Sequence, residues 1–108
     1  MNWIPLTTES QLEEIKQISA TKPVVIFKHS TRCSISIMAK GRLDRALQPE
    51  GVDFYYLDLL AYRPVSNKIA EIFSVPHESP QVLLIKNAEC IYEETHNGID
   101  MDDLVAQL

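Results

Sequence analysis

The sequence predicts a single α/β domain over residues 1–108, with a central mixed four-stranded sheet flanked by helices. Segments with apolar residues at helical spacing alternate along the chain with short runs of branched and aromatic residues. The last two runs are separated by a short polar connection, which favours an antiparallel hairpin. No repeat, glycine-rich loop or low-complexity linker interrupts the alternation. These three patterns indicate one domain with the element order αβαβαββα.

The first predicted helix covers residues 9–20, and the first strand follows it at residues 24–27. Thr8 and Gln11 have the spacing of a capping box at the helix start. Apolar side chains then recur at helical spacing, at Leu12, Ile15 and Ile18. The strand is an unbroken β-branched and aromatic run, which is typical of a strand buried on both faces. It should therefore be central in its sheet.

A second helix is predicted over residues 34–48 and a second strand over residues 52–59. The helix has one apolar stripe, formed by Ile35, Met38, Ala39, Leu43, Ala46 and Leu47. It should end before Pro49, which disfavours a continuing helix. The two strands and this helix make a βαβ unit, whose right-handed crossover leaves both strands parallel. Cys33 then lies in the loop after the first strand, at the carboxyl edge of the sheet.

The last part of the chain predicts a helix, a hairpin and a short final helix. The helix covers residues 64–74 and starts with Pro64, which suits a first helical turn. Residues 82–85 and 91–94 form the strands of the hairpin, and Asp100 begins the final helix. This order of elements matches the thioredoxin-like arrangement, in which helices cover a mixed four-stranded sheet, although the same order can also be laid out in other ways.

Composition and charge exclude several classes of function. The chain has 108 residues, of which 45% are hydrophobic, and a formal net charge of −5. This acidic balance argues against binding to nucleic acid or to anionic membranes, because both require clustered Lys and Arg. No apolar window reaches the about 18 residues of a membrane span, and the N-terminus does not resemble a signal peptide. Two distant cysteines, Cys33 and Cys90, do not form a secreted disulfide framework, so we expect a reducing, cytoplasmic location.

Cys33 is the strongest candidate for a chemical role. It stands where the free backbone N–H groups of the second helix begin, and these groups favour the thiolate form of a nearby sulfur. Lys28, Arg32 or Lys40 would add to this effect if their side chains turn toward the sulfur. The alternative is that Cys33 is a small buried apolar residue that happens to start a helix.

The position three residues after Cys33 is Ser36, so the common Cys-x-x-Cys pair is Cys-x-x-Ser in this chain. No local disulfide can form, and a mixed disulfide on Cys33 would need another thiol to release it. The Ser36 hydroxyl could donate a hydrogen bond to the thiolate, or it could cap backbone N–H groups at the helix start. Cys90 is expected about 17–20 Å away at the opposite edge of the sheet, too far for a disulfide with Cys33.

Ser79 and Pro80 are expected at the same edge as Cys33, because they precede a strand that runs antiparallel to the first one. The bond between them is either cis, which would turn the backbone of Ser79 toward an extended substrate, or an ordinary trans bond.

The three histidines are weaker candidates for a function. His29 and Cys33 lack a second pair of ligands, so no metal is expected. We expect His29 to be a polar residue at a strand end, and His77 and His96 to lie on the surface.

The chain resembles the monothiol bacilliredoxins (YtxJ-like family) in two segments, Phe27-Lys28-His29-Ser30-Thr31-Arg32-Cys33-Ser34-Ile35-Ser36 and His77-Glu78-Ser79-Pro80-Gln81-Val82. The resemblance spans essentially the whole chain. It implies a thioredoxin-like fold, Cys33 as the redox cysteine, Ser36 in place of a resolving cysteine and Pro80 as a cis-proline. Members of this family remove bacillithiol from protein mixed disulfides. One departure is Ser34, where the family usually has proline, and its N–H and hydroxyl favour the thiolate further.

Residues and resemblance together predict a monothiol thiol-disulfide oxidoreductase that acts through Cys33. Its substrates would be S-thiolated client proteins, with a bacillithiol-like small thiol as co-substrate and no bound cofactor. Residues that support the site or contact the substrate are expected at Thr31, Arg32, Ser34, Ile35, Ser36, Ser79 and Pro80. The alternative is a non-catalytic thioredoxin-like module that binds a protein or peptide at this edge, or at the strand edge near Cys90.

Overall fold

The computed structural model describes residues 1–108 as a five-stranded sheet with four α-helices packed on its faces. The strands are β1 (Trp3–Pro5), β2 (Val24–His29), β3 (Asp53–Asp58), β4 (Gln81–Lys86) and β5 (Glu89–Thr95). The helices are α1 (Ser10–Ile18), α2 (Ser34–Arg45), α3 (Arg63–Phe73) and α4 (Met101–Ala106), and a 3-10 turn covers His96–Gly98. None of the helices has both the length and the apolarity needed to cross a membrane.

The sheet has the strand order β1-β3-β2-β4-β5. β1, β3 and β2 are parallel, whereas β4 runs antiparallel to β2 and β5 runs antiparallel to β4. His29 at the end of β2 lies beside Asp58 at the end of β3, and Lys28 lies opposite Gln81 at the start of β4. We call this edge of the sheet, where β2 and β3 end and β4 begins, the carboxyl edge. The loop after β2 and the loop before β4 therefore meet there.

The sequence predicts four strands, and the structure corrects this to five because β1 lies at the edge beside β3. Its three residues are too few to show alternation, and Pro5 does not favour a strand. Trp3 holds β1 in place: its ring stacks on Phe27 at 5.6 Å and meets Phe54 edge-on at 6.0 Å. Its Nε1 donates a hydrogen bond to Asp44 at 2.7 Å. These contacts join residues that are distant in the sequence, so a local sequence pattern cannot predict them.

β2 is buried on both faces, as its apolar run predicts. Val24 and Ile26 belong to the core that the sheet shares with α1 and α3. Val25 and Phe27 belong to the core shared with α2 and α4. Because side chains alternate along a strand, the next residue, Lys28, enters the first core and His29 enters the second.

The buried stripe of α2 differs from the predicted one. Ser36, Ala39 and Leu43 face the sheet, whereas Ile35 is exposed and Met38 is 61% exposed. The helix also ends at Arg45 rather than at residue 48. The sequence prediction assigned the buried stripe from apolar residues alone. Ser36 is polar, but its small hydroxyl can be buried because it has hydrogen-bond partners beneath the helix.

Trp3→Ala is expected to lower the free energy of unfolding by about 2–3 kcal/mol, because it removes a half-buried indole and the contacts that hold β1. Trp3→Phe is the matched control. It keeps most of the ring packing but loses the hydrogen bond to Asp44, and should cost about 1 kcal/mol. Urea denaturation followed by circular dichroism measures both. Equal stabilities of Trp3→Ala and the wild type would show that β1 contributes nothing.

Candidate active site

Cys33 is the residue that precedes α2 at the carboxyl edge, and its side chain is half-buried. Its backbone is extended, with φ −102 and ψ 121, and its N–H donates to the carbonyl of Ser30 at 3.2 Å. Its own carbonyl accepts the first helical hydrogen bond, from Ile37 at 2.9 Å. No side chain caps this helix. The N–H groups of the first turn are thus free to stabilise negative charge on the sulfur.

The three cations considered as additional support for a thiolate do not gather at the sulfur. Lys28 enters the opposite core and is fully buried there. Lys40 forms an ion pair with Asp44 at 2.8 Å. Arg32 is exposed and forms no ion pair or hydrogen bond within the protein. The start of α2 is therefore the principal electrostatic feature next to Cys33.

Ser36 does not play either role predicted for it. Its side chain is fully buried, and its Oγ accepts a hydrogen bond from the N–H of Ser30 at 2.9 Å. The same oxygen lies 2.7 Å from Nδ1 of His29. The structure shows no hydrogen bond from Ser36 to Cys33, and the N–H that Ser36 binds precedes the helix rather than starting it. Ser36 instead ties α2 to the end of β2.

The hydrogen positions in this network follow from a count of donors and acceptors. The Ser36 hydroxyl has one proton and two lone pairs, and Ser30 occupies one lone pair. If His29 carried its proton on Nδ1, that proton would take the second lone pair, and the buried hydroxyl proton would have no acceptor. An unsatisfied buried donor costs about 1–3 kcal/mol. The favoured arrangement is therefore Ser36 donating to Nδ1, with the His29 proton on Nε2.

His29 is the last residue of β2, as the sequence predicts, and it is also a buried residue. Its ring is buried, stacks on Phe27 and lies at a tilt of 45° against Tyr56, with centroids 5.6 Å away in each case. Burial lowers the pKa of His29 below its ordinary value of 6.5, and the charge of Lys40 lowers it further, whereas Asp58 raises it. His29 is therefore neutral at pH 7, as its acceptor role toward Ser36 requires.

The loop before β4 completes the carboxyl edge. The peptide bond between Ser79 and Pro80 is cis. The carbonyl of Pro80 accepts a hydrogen bond from His96 at 3.1 Å, and the Gln81 side chain donates to the carbonyl of Pro76 at 3.2 Å. The hydroxyl of Ser79 is buried without a hydrogen bond, and its backbone N–H and C=O bind no other group of the protein.

The residues predicted to support the site differ in their exposure. Four of them line the loop and first turn around Cys33 and are exposed: Thr31, Arg32, Ser34 and Ile35. Ser36 and Pro80 are buried, and Ser79 is half-buried. None of the surface grooves of the protein includes Cys33. The sulfur is therefore reached across an open edge rather than through a closed pocket.

The structure contains a second polar cluster, under the carboxyl edge, that the sequence analysis did not predict. Lys28 is fully buried, and its Nζ donates to the carbonyl of Ser66 at 3.2 Å and lies 3.3 Å from Nδ1 of His77. The Ser66 hydroxyl lies 3.2 Å from the same nitrogen. Burial lowers the pKa of Lys28 to about 8. His77 is exposed as predicted, but its ring nitrogen anchors the loop before β4 to this lysine.

Cys90 lies at the other end of the sheet. It is the second residue of β5 and lies opposite Ile85, which pairs with Val24 at the start of β2. Its thiol donates a weak hydrogen bond to the carbonyl of Tyr92 at 3.3 Å, and burial raises the pKa of this thiol. Both cysteines are free. Cys33 and Cys90 therefore do not form one site.

Comparison with known proteins gives a family and a fold. The family model described as monothiol bacilliredoxin BrxC matches residues 4–104 of the chain. A solved structure described as a proposed oxidoreductase with a thioredoxin fold is 33% identical, with a TM-score of 0.82 over 95% of this chain and 90% of that one.

Two thioredoxins are more distant. Mitochondrial thioredoxin 3 of Saccharomyces cerevisiae is 19% identical, with a TM-score of 0.74 over 98% of this chain and 95% of that one. Thioredoxin f2 of Chlamydomonas reinhardtii is 17% identical, with a TM-score of 0.72 over 98% of this chain and 93% of that one. The thioredoxin-like fold predicted from the order of elements is thus confirmed.

Proposed function

Because the chain belongs to the monothiol bacilliredoxin family, we propose that it removes a bacillithiol-like small thiol from protein mixed disulfides through Cys33. Family and fold together make it a thiol oxidoreductase in general. One observation carries the finer proposal: Cys33 is half-buried at the start of α2, and no second cysteine lies near its sulfur. Such a site can accept a small thiol but cannot release it by forming its own disulfide.

The reaction consists of two exchanges of disulfide bonds. The Cys33 thiolate attacks the small-thiol sulfur of the mixed disulfide, and the client cysteine leaves as a thiolate. Cys33 then holds the small thiol in a new mixed disulfide. A second small thiol, as its thiolate, attacks the small-thiol sulfur of that bond, which frees Cys33 and yields the disulfide of the two small thiols. Each exchange breaks one S–S bond and forms one, so that electrons balance and no bound cofactor is needed.

The open carboxyl edge suits a protein as the substrate. The backbone N–H and C=O of Ser79 are unpaired, so an extended segment of a client protein can add to them as a short strand. The exposed side chains of Thr31, Arg32, Ser34 and Ile35 border the sulfur, where the segment carrying the mixed disulfide would lie. We therefore propose S-thiolated proteins and a small thiol as the partners, and the cytoplasm as the location, because this cycle requires reducing conditions.

The proposal is tested with a single-cysteine client protein that carries bacillithiol, glutathione or cysteine in a mixed disulfide. We expect intact mass spectrometry to show transfer of the small thiol to this protein, with peptide mapping placing it on Cys33. Bacillithiol should transfer fastest. Incubation with the reduced small thiols alone is the control and should give no adduct. Absence of an adduct with every mixed disulfide, together with stable binding of the client, would instead favour a non-catalytic binding module.

A further inference from the structure

We propose that the outer face of α2 is a docking groove for the client protein, and that it selects clients with an apolar side chain and a carboxylate near the S-thiolated cysteine. The groove has a volume of about 490 Å³ and is lined by Ile37, Met38, Gly41, Arg42 and Arg45. The inference rests on the proposed function, because it concerns the client from which Cys33 takes the small thiol.

The apolar part of the groove lies one helical turn from Cys33. The N–H of Ile37 donates to the carbonyl of Cys33 at 2.9 Å, so the two residues are joined by the first hydrogen bond of α2. Ile37 is 53% exposed and Met38 is 61% exposed, because other residues of the helix face the sheet. Neighbouring exposed apolar side chains beside a reactive group are typical of a binding surface.

The charged part of the groove consists of two arginines that the protein does not neutralise. Arg42 is fixed in place, because its guanidinium donates to the carbonyl of Ile99 at 3.1 Å and to that of His96 at 3.2 Å. The guanidinium of Arg45 lies over Gly41, where an added Cβ would come within 3.1 Å of Nη1. Neither arginine forms an ion pair. In a chain with a net charge of −5, the groove therefore offers two free positive charges.

The acidic residues closest to these arginines lie outside the groove. Asp44 of α2 is paired with Lys40 at 2.8 Å. Asp100 and Asp102 line a separate groove, which the two arginines also border, and form no ion pair with them. No carboxylate of this chain lines the groove beside Ile37. A carboxylate from a partner is therefore the group that complements its charge.

The distance from Cys33 decides which part of a client reaches the arginines. Gly41, over which the Arg45 guanidinium lies, is about 12 Å beyond Cys33 along the helix axis. An extended chain covers this length in about four residues, and its side chains alternate between two sides. Residues about two and about four positions from the client cysteine therefore face the same side as that cysteine. The first reaches the apolar part of the groove and the second reaches the arginines.

A second copy of this chain fits the groove less well than a client does. A stable dimer buries about 800 Å² on each partner, whereas this groove is formed by a few side chains of one helix. Two copies that each have a net charge of −5 also repel each other. A client needs only transient binding while one disulfide is exchanged, and a small surface with apolar and charged parts is sufficient for that.

The test uses peptides whose single cysteine carries bacillithiol in a mixed disulfide, with leucine two positions and glutamate four positions to either side. Matched peptides have lysine in place of glutamate, or serine in place of leucine. Intact mass spectrometry of the full chain measures the rate of transfer to Cys33. We expect the glutamate peptide to react about fivefold faster than the lysine peptide. Because the long-range field of this acidic protein favours the lysine peptide, such a result reports a local contact.

Variants of the full chain locate that contact. Arg45→Glu should reverse the order of the glutamate and lysine peptides. Met38→Gln should remove an advantage of about threefold that leucine gives over serine. Lys68→Glu is the matched control for charge, because Lys68 lies on α3 at the other face of the sheet, and Ile91→Gln is the control for an exposed apolar side chain on β5. Both controls should retain the wild-type preferences. Release of bacillithiol from Cys33 by free bacillithiol should stay within about twofold in all four variants.

Several results would overturn the inference. Equal rates for the glutamate and lysine peptides, or an order that Arg45→Glu leaves unchanged, would show that the arginines do not bind the client. Slower release of bacillithiol in Arg45→Glu would assign them to the small thiol instead. A dimer in sedimentation that Met38→Gln dissociates would assign the groove to a second copy. Circular dichroism shows whether each variant is folded, and Arg45→Gln, which should abolish the preference, replaces Arg45→Glu if that variant is not.

Failure of this inference is distinct from failure of the proposed function. Transfer of bacillithiol to Cys33 from every peptide at one rate would overturn the inference alone. Absence of transfer from every peptide would overturn the proposed function as well.

Discussion

Cys33→Ser is expected to abolish thiol exchange, lowering the rate at which a small thiol is removed from a client protein by at least about a thousandfold. A serine hydroxyl is not ionised near neutral pH and cannot form a disulfide, so neither step of the cycle can begin. The rate is measured by the appearance of the free client thiol, and intact mass spectrometry shows whether any adduct forms. Because Cys33 is half-buried at the start of α2, exchange of sulfur for oxygen should leave the fold unchanged.

Cys90→Ser is the matched control for this prediction. Cys90 lies at the end of the sheet opposite Cys33, and its thiol is bonded to the carbonyl of Tyr92. The variant should retain activity within about twofold, since substitutions distant from a site are usually independent of it. Loss of activity in Cys90→Ser as large as in Cys33→Ser would mean that the two cysteines act together, which contradicts the strand register.

Most of the fold could be predicted from local patterns, because its elements carry their own signals. The apolar run of β2 shows a strand buried on both faces, and the βαβ unit around α2 fixes where Cys33 must lie. β1 could not be found in this way. It consists of three residues whose position depends on the packing of Trp3 against Phe27 and Phe54, which are remote in sequence.

The residues of the site also fall into those that the sequence could place and those that depend on tertiary packing. The place of Cys33 follows from chain connectivity, and the place of Ser79 and Pro80 follows from the antiparallel pairing of β4 with β2. The role of Ser36 does not follow from the sequence. Its hydroxyl binds His29 and not Cys33, and this depends on distances that only the packed structure defines. The sequence nevertheless contained one usable signal. Two polar residues that extend a strand buried on both faces must themselves be buried.

Lys28 and His29 show what that signal means for the site. They are neighbours in the chain but enter opposite cores. His29 binds Ser36 and so connects the strand to α2, whereas Lys28 binds His77 and so connects it to the loop before β4. The two loops that form the carboxyl edge are thus each anchored to the end of β2 by a buried ionisable side chain. These two hydrogen-bonded side chains stabilise the conformation of the open site. Because both are buried and ionisable, they also make the stability of the protein depend on pH.

Lys28→Met is expected to make the protein more stable than the wild type at pH 7, and this advantage should shrink by about 3 kcal/mol as the pH rises to about 10.5. Lys28 is fully buried and forms no ion pair, so its pKa falls from 10.5 to about 8 in the folded protein. Between these values the unfolded chain binds more protons than the folded one, and the stability of the wild type therefore increases with pH. Methionine has a similar shape and no charge to bury.

Urea denaturation of both proteins between pH 7 and about pH 10.5 measures this difference, because the other groups that titrate in this range are common to the two proteins. Lys68→Met is the matched control: Lys68 lies on the exposed side of α3, 3.6 Å from Glu71, and its replacement should give a difference that hardly changes with pH. The pKa of His77 provides a second readout. It is held below its ordinary value by burial and by the charge of Lys28, so it should rise in Lys28→Met but not in Lys68→Met. A constant stability difference between Lys28→Met and the wild type would show that Lys28 is not buried as a charged group.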